Sequence, residues 1–505
     1  MVETRAAKAK SEDLSAAIGD LEETCRSFHS GYELSLDSLK KLVAEAPELV
    51  TSQFHLKDSY FLLGACENKH ITLEVIQYLL KIFPGAAAVA MDETANCTGE
   101  CPAHPIHSAC MNASCPDEVI EELINDAPVA LRSFAIIDEG LSNLGEDYEY
   151  GMWGGSPDVA GLPLHYYLQR ESNITVDLLE KLVAAYPESI GASAWATDLL
   201  YQGVTPVHVL LSNPNIYDMI GILQHLIETH PSRFRETSGK GRTSPIHIAV
   251  QNKSVDASII QLLINAWPES LQLRSRDNME LEQLDLPIHT LCGASTKDAA
   301  AVGIIELLIK EFPASVQAPD KSGYLPIHLA VMYQSTQFCQ VLVNAYPESV
   351  RVGTPDYRCL PIHLAIEERS KYAAETVQYL MEYDPESLLS EDVRGYTPLH
   401  RAAGDSQIIK LILSRDLSLA KVQTRGEDWF GYDRLELPIH NACSRWIGRA
   451  QQTVDTIKKA VQVLFDAYPE GLFARSVNVN SRGEVSRHTP LETAHDTIRQ
   501  QNRHQ

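Results

Sequence analysis

The sequence predicts an all-α helical-repeat solenoid with extended loops between its units. Three observations predict it. First, Pro-apolar-His returns nine times, at Pro105-Ile106-His107, Pro163-Leu164-His165, Pro206-Val207-His208, Pro245-Ile246-His247, Pro287-Ile288-His289, Pro326-Ile327-His328, Pro361-Ile362-His363, Pro398-Leu399-His400 and Pro438-Ile439-His440. Self-similarity at a period of about 40 residues marks a row of like supersecondary units. Second, another landmark alternates with the first: Tyr186-Pro187-Glu188-Ser189, Trp267-Pro268-Glu269-Ser270, Tyr346-Pro347-Glu348-Ser349 and Asp384-Pro385-Glu386-Ser387, with looser copies at Pro47, Pro84, Pro128, Pro231, Pro313 and Pro469. Third, the interval from the first Pro to the second is nearly constant, 23 residues for Pro105 to Pro128 and 21 for Pro326 to Pro347. The next interval varies, from 13 residues (Pro313 to Pro326) to 35 (Pro128 to Pro163). Packed segments tolerate no insertion, whereas surface loops do.

Within each unit the constant interval reads as two helices. Pro opens the first, where its missing N–H is one of the unpaired donors anyway, and Thr205, Ser244 or Thr397 ahead of it is placed to cap. The second helix shows apolar residues at i, i+3, i+4 and i+7: Phe338, Val341, Leu342 and Ala345, or Ile259, Leu262, Leu263 and Ala266. The Pro of Tyr-Pro-Glu-Ser forbids continuation, so this helix ends just before it. The Glu-Ser pair is expected to brace the succeeding loop, and the aromatics ahead of Pro (Phe83, Tyr186, Trp267, Phe312, Tyr346, Tyr468) are expected to be core between adjacent second helices. One helix pair cannot bury its own apolar stripe; a row of them can.

The segment Gly395-Tyr396-Thr397-Pro398-Leu399-His400-Arg401-Ala402-Ala403 resembles the ankyrin-repeat signature, and Gly323-Tyr324-Leu325-Pro326-Ile327-His328-Leu329-Ala330 is a close variant. The resemblance covers roughly residues 36 to 495. It implies an ankyrin-type solenoid of about eleven units, a lining of finger loops and first helices for partners, and no catalysis. The chain departs from the family pattern in three ways: most units exceed its usual length, Leu162, Leu286, Leu325, Leu360 and Leu437 replace Thr, and Tyr-Pro-Glu-Ser stands where Gly usually ends the second helix. Residues 1–30 read as a polar lead-in, 31–495 as the array with an enlarged finger loop at 132–160, and 496–505 as a tail. Glu492 of Thr489-Pro490-Leu491-Glu492 stands where His is expected, which suits a terminal cap.

Composition sets outer bounds. The 505 residues are 44% hydrophobic with a formal net charge of −25. That field repels a phosphate backbone, so nucleic acid is not an expected partner. No apolar run reaches membrane-spanning length and no secretory h-region follows Met1, so the expected location is the cytoplasm, with the nucleus as alternative. The ten cysteines lack a disulfide-framework spacing and are expected to be reduced. Cys110, Cys292 and Cys443 each follow a motif His by three residues, and Cys66 holds the same place in a degenerate unit. This slot reads as a small buried position.

Chemistry-bearing patterns reduce to architecture. Cys97, Cys101, His104 and Cys115 could ligate zinc, but their spacing matches no paired Cys-x2-Cys knuckle, and no metal or other cofactor is expected. Nine of the eighteen His residues occupy one repeat slot. A catalytic His occurs once, beside a unique partner, so these nine read as buried neutral imidazoles bonded to turn backbone. No phosphate loop or nucleophile elbow occurs, and the 132–160 insertion has Ser133, Ser142 and Ser156 but no His or Cys to activate them.

Partner contact is expected on three enlarged aromatic fingers, holding Tyr148, Tyr150 and Trp153; Trp195 and Tyr201; and Trp429, Phe430 and Tyr432. Aromatic rings beside acids suit a protein, or a basic or amphipathic peptide. The expected function is a monomeric, non-enzymatic protein-interaction scaffold or adaptor, with a substrate-recruiting subunit of a larger ligase or phosphatase assembly as the alternative.

Overall fold

The computed structural model describes residues 35–45, 58–90, 103–136, 159–170, 172–196, 203–215, 220–238, 243–275, 285–294, 298–368, 370–424, 434–444, 454–479 and 485–493. A leading helix, α1 (Leu36–Glu45), precedes helix pairs α2 (Asp58–Glu67) and α3 (Leu73–Ile82), α4 (Pro105–Met111) and α5 (Asp117–Asp126), α6 (Pro163–Gln169) and α7 (Val176–Ala185), α8 (Pro206–Ser212) and α9 (Ile220–Thr229), and α10 (Pro245–Gln251) and α11 (Ala257–Ala266). Then come α12 (Pro287–Gly293) and α13 (Asp298–Glu311), α14 (Pro326–Tyr333) and α15 (Thr336–Ala345), α16 (Pro361–Glu368) and α17 (Ala373–Tyr383), α18 (Pro398–Arg401) and α19 (Ser406–Arg415), and α20 (Pro438–Ser444) and α21 (Val454–Ala467). The chain divides into two compact bodies, residues 1–270 with 275–282, and 271–274 with 283–505. In each body first helix packs on first helix of the next pair, and second on second.

Side chains cap the start of several second helices. Thr175 Oγ1 accepts from the Leu178 amide, Asp256 from Ser258 and Ile259, Ser335 from Phe338, and Asp405 from Gln407 and Ile408. The helices end at Ala185, Ala266, Ala345 and Tyr383, immediately before the aromatic or Asp that precedes Pro, as that Pro requires. The chain beyond each of these ends is ordered: Pro opens a 3-10 turn, as in Pro187–Gly191, Pro347–Arg351 and Pro385–Leu389. The Ser of the landmark braces that turn in two of the four copies, whereas the Ser189 and Ser349 hydroxyls are buried without a hydrogen-bond partner. Ser270 Oγ donates to the Trp267 carbonyl at 2.6 Å and Ser387 Oγ to Asp384 at 2.6 Å, while the neighbouring Glu side chains are exposed.

Two packing expectations need correction. The buried stripe of the second helix is Phe338, Cys339, Leu342 and Val343 in α15, and Ile259, Ile260, Leu263 and Ile264 in α11. Val341 is half-buried and Ala345 exposed, so the face is turned by one residue. Contact with both the pair's own first helix and the neighbouring second helix accounts for the turn. The pre-Pro aromatics are not core. Phe83 is buried, but Tyr186, Trp267, Phe312, Tyr346 and Tyr468 are half-buried at the margin. The cation closing one 3-10 turn covers the ring that opens the next: Arg132 lies 5.5 Å from the Tyr186 centroid and Lys421 5.4 Å from Tyr468. Where Asp384 replaces the ring, Arg351 pairs with its carboxylate through two bonds of 2.8 and 3.1 Å. A change of residue type thus keeps the contact and changes its chemistry.

The loops between pairs carry short strands. In the first body β1 (Ala135–Ile136), β2 (Val159–Gly161) and β3 (Trp195–Ala196) form an antiparallel sheet in the order β1-β2-β3, pairing Ala135 with Gly161 and Ala160 with Trp195. In the second, β4 (Arg434–Leu435), β5 (Val477–Val479) and β6 (Val485–Ser486) pair likewise. Strands β1 to β4 border the enlarged fingers.

Candidate protein-interaction surface

The fingers are held by the motif histidines. In His165, His289, His328 and His440 the Nδ1 accepts from the backbone N–H three residues earlier, at 2.9–3.1 Å. Nε2 reaches a carbonyl of the next finger along the chain: Ser133 from His107 (2.8 Å), Val204 from His165 (3.2 Å), Thr243 from His208 (3.1 Å), Ala318 from His289 (2.8 Å), Val352 from His328 (2.8 Å) and Glu436 from His400 (3.0 Å). A carbonyl only accepts, so Nε2 carries the proton and the ring is neutral. Burial, the dominant cause, pushes the His107 pKa down to about 3 and those of His165, His208, His289 and His400 to about 4. At these positions the expected structural role is the observed one; His363, by contrast, keeps the inward bond from the Leu360 amide while its buried Nε2 has no hydrogen-bond partner.

The Leu-for-Thr replacement is harmless for the same reason. Where Thr205 or Ser244 is present, its hydroxyl bonds the ring Nδ1 at 2.7 Å rather than capping a backbone amide. Where Leu stands, the backbone N–H alone serves Nδ1. Glu492 copies this inward half, its carboxylate accepting from the Thr489 amide at 2.7 Å, but it has no N–H to bridge onward.

A second device joins neighbouring units, and it was not foreseen from the sequence. An amide seven or eight residues after the motif Pro donates to carbonyls at the end of the preceding first helix. Asn112 bonds Cys66 and Asn68, Asn213 bonds Leu168 and Arg170, Asn252 bonds Leu211 and Asn213, and Gln334 bonds Leu291, Cys292 and Ala294, all within 2.6–3.2 Å. Arg170 fills the slot in its own unit, fully buried, donating to the carbonyls of Asn112 and Cys115 and lying over the Tyr167 ring. The signal was available: Asn recurs seven residues after Pro105, Pro206 and Pro245.

In the second body three successive fingers are described. Asp320 Oδ1 accepts from the Ser322 and Tyr324 amides, and Asp392 Oδ1 from Arg394 and Tyr396. Each of these two turns places a glycine at positive φ, Gly323 at 80° and Gly395 at 72°. A Cβ on Gly323 would also meet Pro355 of the next finger at 2.5 Å. The fingers are tied to each other: Tyr324 Oη donates to Asp356 at 3.0 Å, and the Val393 amide to the Tyr357 carbonyl at 2.8 Å. Partial burial works to raise the Asp356 pKa, but hydrogen bonds from Thr354, the Tyr357 amide and Tyr324 outweigh it and hold the pKa below the usual range. Beneath them, buried Arg401 is held by Asp392 and Glu367 and reaches the Cys359 sulfur at 3.5 Å. Burial opposes its charge, yet the two carboxylates raise its pKa. On this rigid base Tyr357 is 37% and Val393 45% exposed, with Arg394 5.6 Å over the Tyr357 ring.

The aromatics singled out from sequence fall differently. Tyr148, Tyr150, Trp153, Tyr201, Trp429, Phe430 and Tyr432 lie outside the described residues, as does the Trp195 side chain. Their stems are described: β1 and β2 flank 137–158, the Trp195 backbone pairs with Ala160, and the Thr424 amide bonds the Glu436 carbonyl below 425–433. Tyr166, fully buried, donates from its hydroxyl to the Ala135 carbonyl at 2.6 Å and anchors the longest finger. Residues 1–30 and 496–505, like Cys97 and Cys101, lie outside the described residues. His104 is buried against the His107 ring, with its pKa lowered by burial, and burial pushes the Cys115 thiol up to about 12. The Cys66, Cys110, Cys292 and Cys443 slot is buried, as expected. No helix among the described residues is long and apolar enough to cross a membrane.

No family model matches the chain. Alpha-latrotoxin-Lg1a of Latrodectus geometricus is 29% identical over 129 residues, 25% of this chain and 9% of the toxin. Ankyrin repeat domain-containing protein 53 of Homo sapiens is 29% identical over 165 residues, 31% of this chain and 30% of that protein. The chain thus spans under a third of the length of either curated relative. Among solved structures, the ankyrin repeat domain of Bcl-3, a member of the IkappaB protein family, is similar with a TM-score of 0.34 and 19% identity, covering 51% of this chain and 98% of that one.

Proposed function

We propose that the chain, whose helix pairs and motifs are those of an ankyrin-repeat protein, works as a non-enzymatic protein-binding scaffold or adaptor whose fingers contact the partner. The observation that carries this reading is the linked row of fingers at 319–325, 352–360 and 390–397. Hydrogen bonds between fingers and the buried Arg401 network reduce the ordering cost that a mobile loop would meet on binding, while Tyr357 and Val393 are exposed and Arg394 lies over the Tyr357 ring. An exposed ring beside a guanidinium is a composition enriched at binding hot spots. The net charge of −25 favours a basic or amphipathic partner segment. The enlarged fingers carrying Tyr148, Tyr150, Trp153, Trp195, Tyr201, Trp429, Phe430 and Tyr432 extend this surface in the proposal, and the protein acts as a monomer in the cytoplasm or nucleus.

Affinity capture tests the reading with three baits: the intact chain, a chain lacking residues 138–150, and a chain with Tyr357→Ala and Val393→Asp. Loss of a captured protein from either altered bait supports it. An identical captured set from all three baits overturns it.

A further inference from the structure

We propose that the outer turns of the second body, with the adjoining flank of its fingers, dock a partner segment that sets a bulky apolar side chain beside a lysine or arginine. The proposal rests on the protein-binding reading above and extends it from the finger tips to the flank where fingers 352–360 and 390–397 meet the 3-10 turns. Most 3-10 turns close on a polar or basic residue, such as Arg132, Arg235, Gln317, Arg351 or Lys421. That side chain covers the next unit in the Arg132–Tyr186, Arg351–Asp384 and Lys421–Tyr468 contacts.

Two turns close instead on an exposed large apolar residue, Pro469–Phe473 and Pro385–Leu389, and the second of these has a further 3-10 turn after it in the row. Its closing residue is Leu389, 61% exposed. The register of the other contacts sets Leu389 against Asp416, the residue ahead of Leu417. Leu417 holds the place where most of the turns have Pro, and it is 60% exposed. Asp416 offers Leu389 no cover, because its carboxylate is turned back to the Ser418 amide and hydroxyl at 2.8 and 2.7 Å. Single exposed leucines are ordinary on a surface. By that register these two, in slots filled elsewhere by a cation and by proline, neighbour each other and form a small apolar step.

Beside this step lies a cleft of about 540 Å³, whose lining includes Arg351, Arg358, Leu360, Asp384, Glu386 and Glu391. Arg351 is already paired with Asp384. Glu386 and Glu391 then outnumber Arg358, so the cleft is left net acidic at the edge of the apolar step. A lysine or arginine entering the cleft meets carboxylates, while a neighbouring Leu, Ile or Phe covers Leu389 and Leu417. Charge and shape therefore select a basic–apolar segment over an acidic one.

The test uses the full chain, immobilised, and a phage-displayed library of random 12-residue peptides. Selected peptides are resynthesised and titrated by fluorescence anisotropy. The expected peptides place Lys or Arg next to Leu, Ile or Phe. Their affinity falls at least about tenfold on Leu389→Asp with Leu417→Asp, and on Glu386→Lys with Glu391→Lys, yet stays within about twofold on Tyr357→Ala with Val393→Asp. Far-UV circular dichroism confirms that each variant is folded. Peptides that ignore the first two pairs and respond to the finger pair overturn this site and leave the finger reading standing. A library that yields no binder overturns both.

Discussion

Lowering the pH from 7 to 5 is expected to destabilise the array through its motif histidines. The unfolded imidazole has a pKa of 6.5, whereas burial brings His165, His208, His289 and His400 down to about 4. The folded value lies below the unfolded one, so between the two the unfolded chain binds more protons. Stability is then complete above pH 6.5 and is lost as the pH falls toward 4. For one such ring the loss between pH 7 and 5 is about 2 kcal/mol, and over the four it is on the order of 8 kcal/mol, comparable with the total stability of many domains. Carboxylates with ordinary values titrate mostly below pH 5, so they add little in this window. Urea unfolding followed by far-UV circular dichroism at pH 7, 6 and 5 reads the effect directly. His208→Gln keeps an acceptor for the Thr205 hydroxyl and a donor for the Thr243 carbonyl without a titrating ring. It is expected to reduce the pH dependence by about 2 kcal/mol. Equal urea midpoints at pH 7 and 5 would refute the buried neutral ring as the connecting element.

Other outcomes rest on single contacts. Asn213→Ala leaves the Leu168 and Arg170 carbonyls without their amide donor and is expected to cost about 2 kcal/mol in urea titration. Arg401→Ala strands the buried Asp392 carboxylate and is expected to cost about 3–5 kcal/mol, lowering the melting temperature in calorimetry. Burial pushes the Cys66, Cys110 and Cys292 thiols far up and Cys339 to about 12. Residue-resolved alkylation at pH 8 should therefore leave all four unmodified in native buffer and modify them in urea.

Features that depend on one unit are legible in the sequence, and features that depend on two are mostly not. Pro at the helix start, the end of the second helix and the small Cys slot are local consequences of φ restriction and burial, and each is readable. The bridging role of His is readable because a slot repeated nine times cannot be a unique catalytic centre. The amide tether is visible as recurrent Asn but is spelled in its slot by Asn112, Arg170, Asn213, Asn252 and Gln334 alike, because any side chain able to donate to two carbonyls serves. The rotated stripe of the second helices is hidden because periodicity gives a face but not its neighbours. The exchange of Tyr for Asp384 opposite Arg351 reads in the sequence as a degenerate motif; only register shows it as a maintained contact. Composition points to the aromatic fingers, whereas the described surface presents Tyr357 and Val393, which no composition argument selects.

Neutral histidines that accept inside their own unit and donate to the next finger are what join this array. Long-range proton–nitrogen correlation spectra of the chain labelled with nitrogen-15 histidine test this most directly. The expected result is a set of motif imidazoles in the Nε2–H tautomer whose shifts do not move between pH 7.5 and 5.5. Motif rings that titrate near pH 6.5, or that carry the proton on Nδ1, would contradict it.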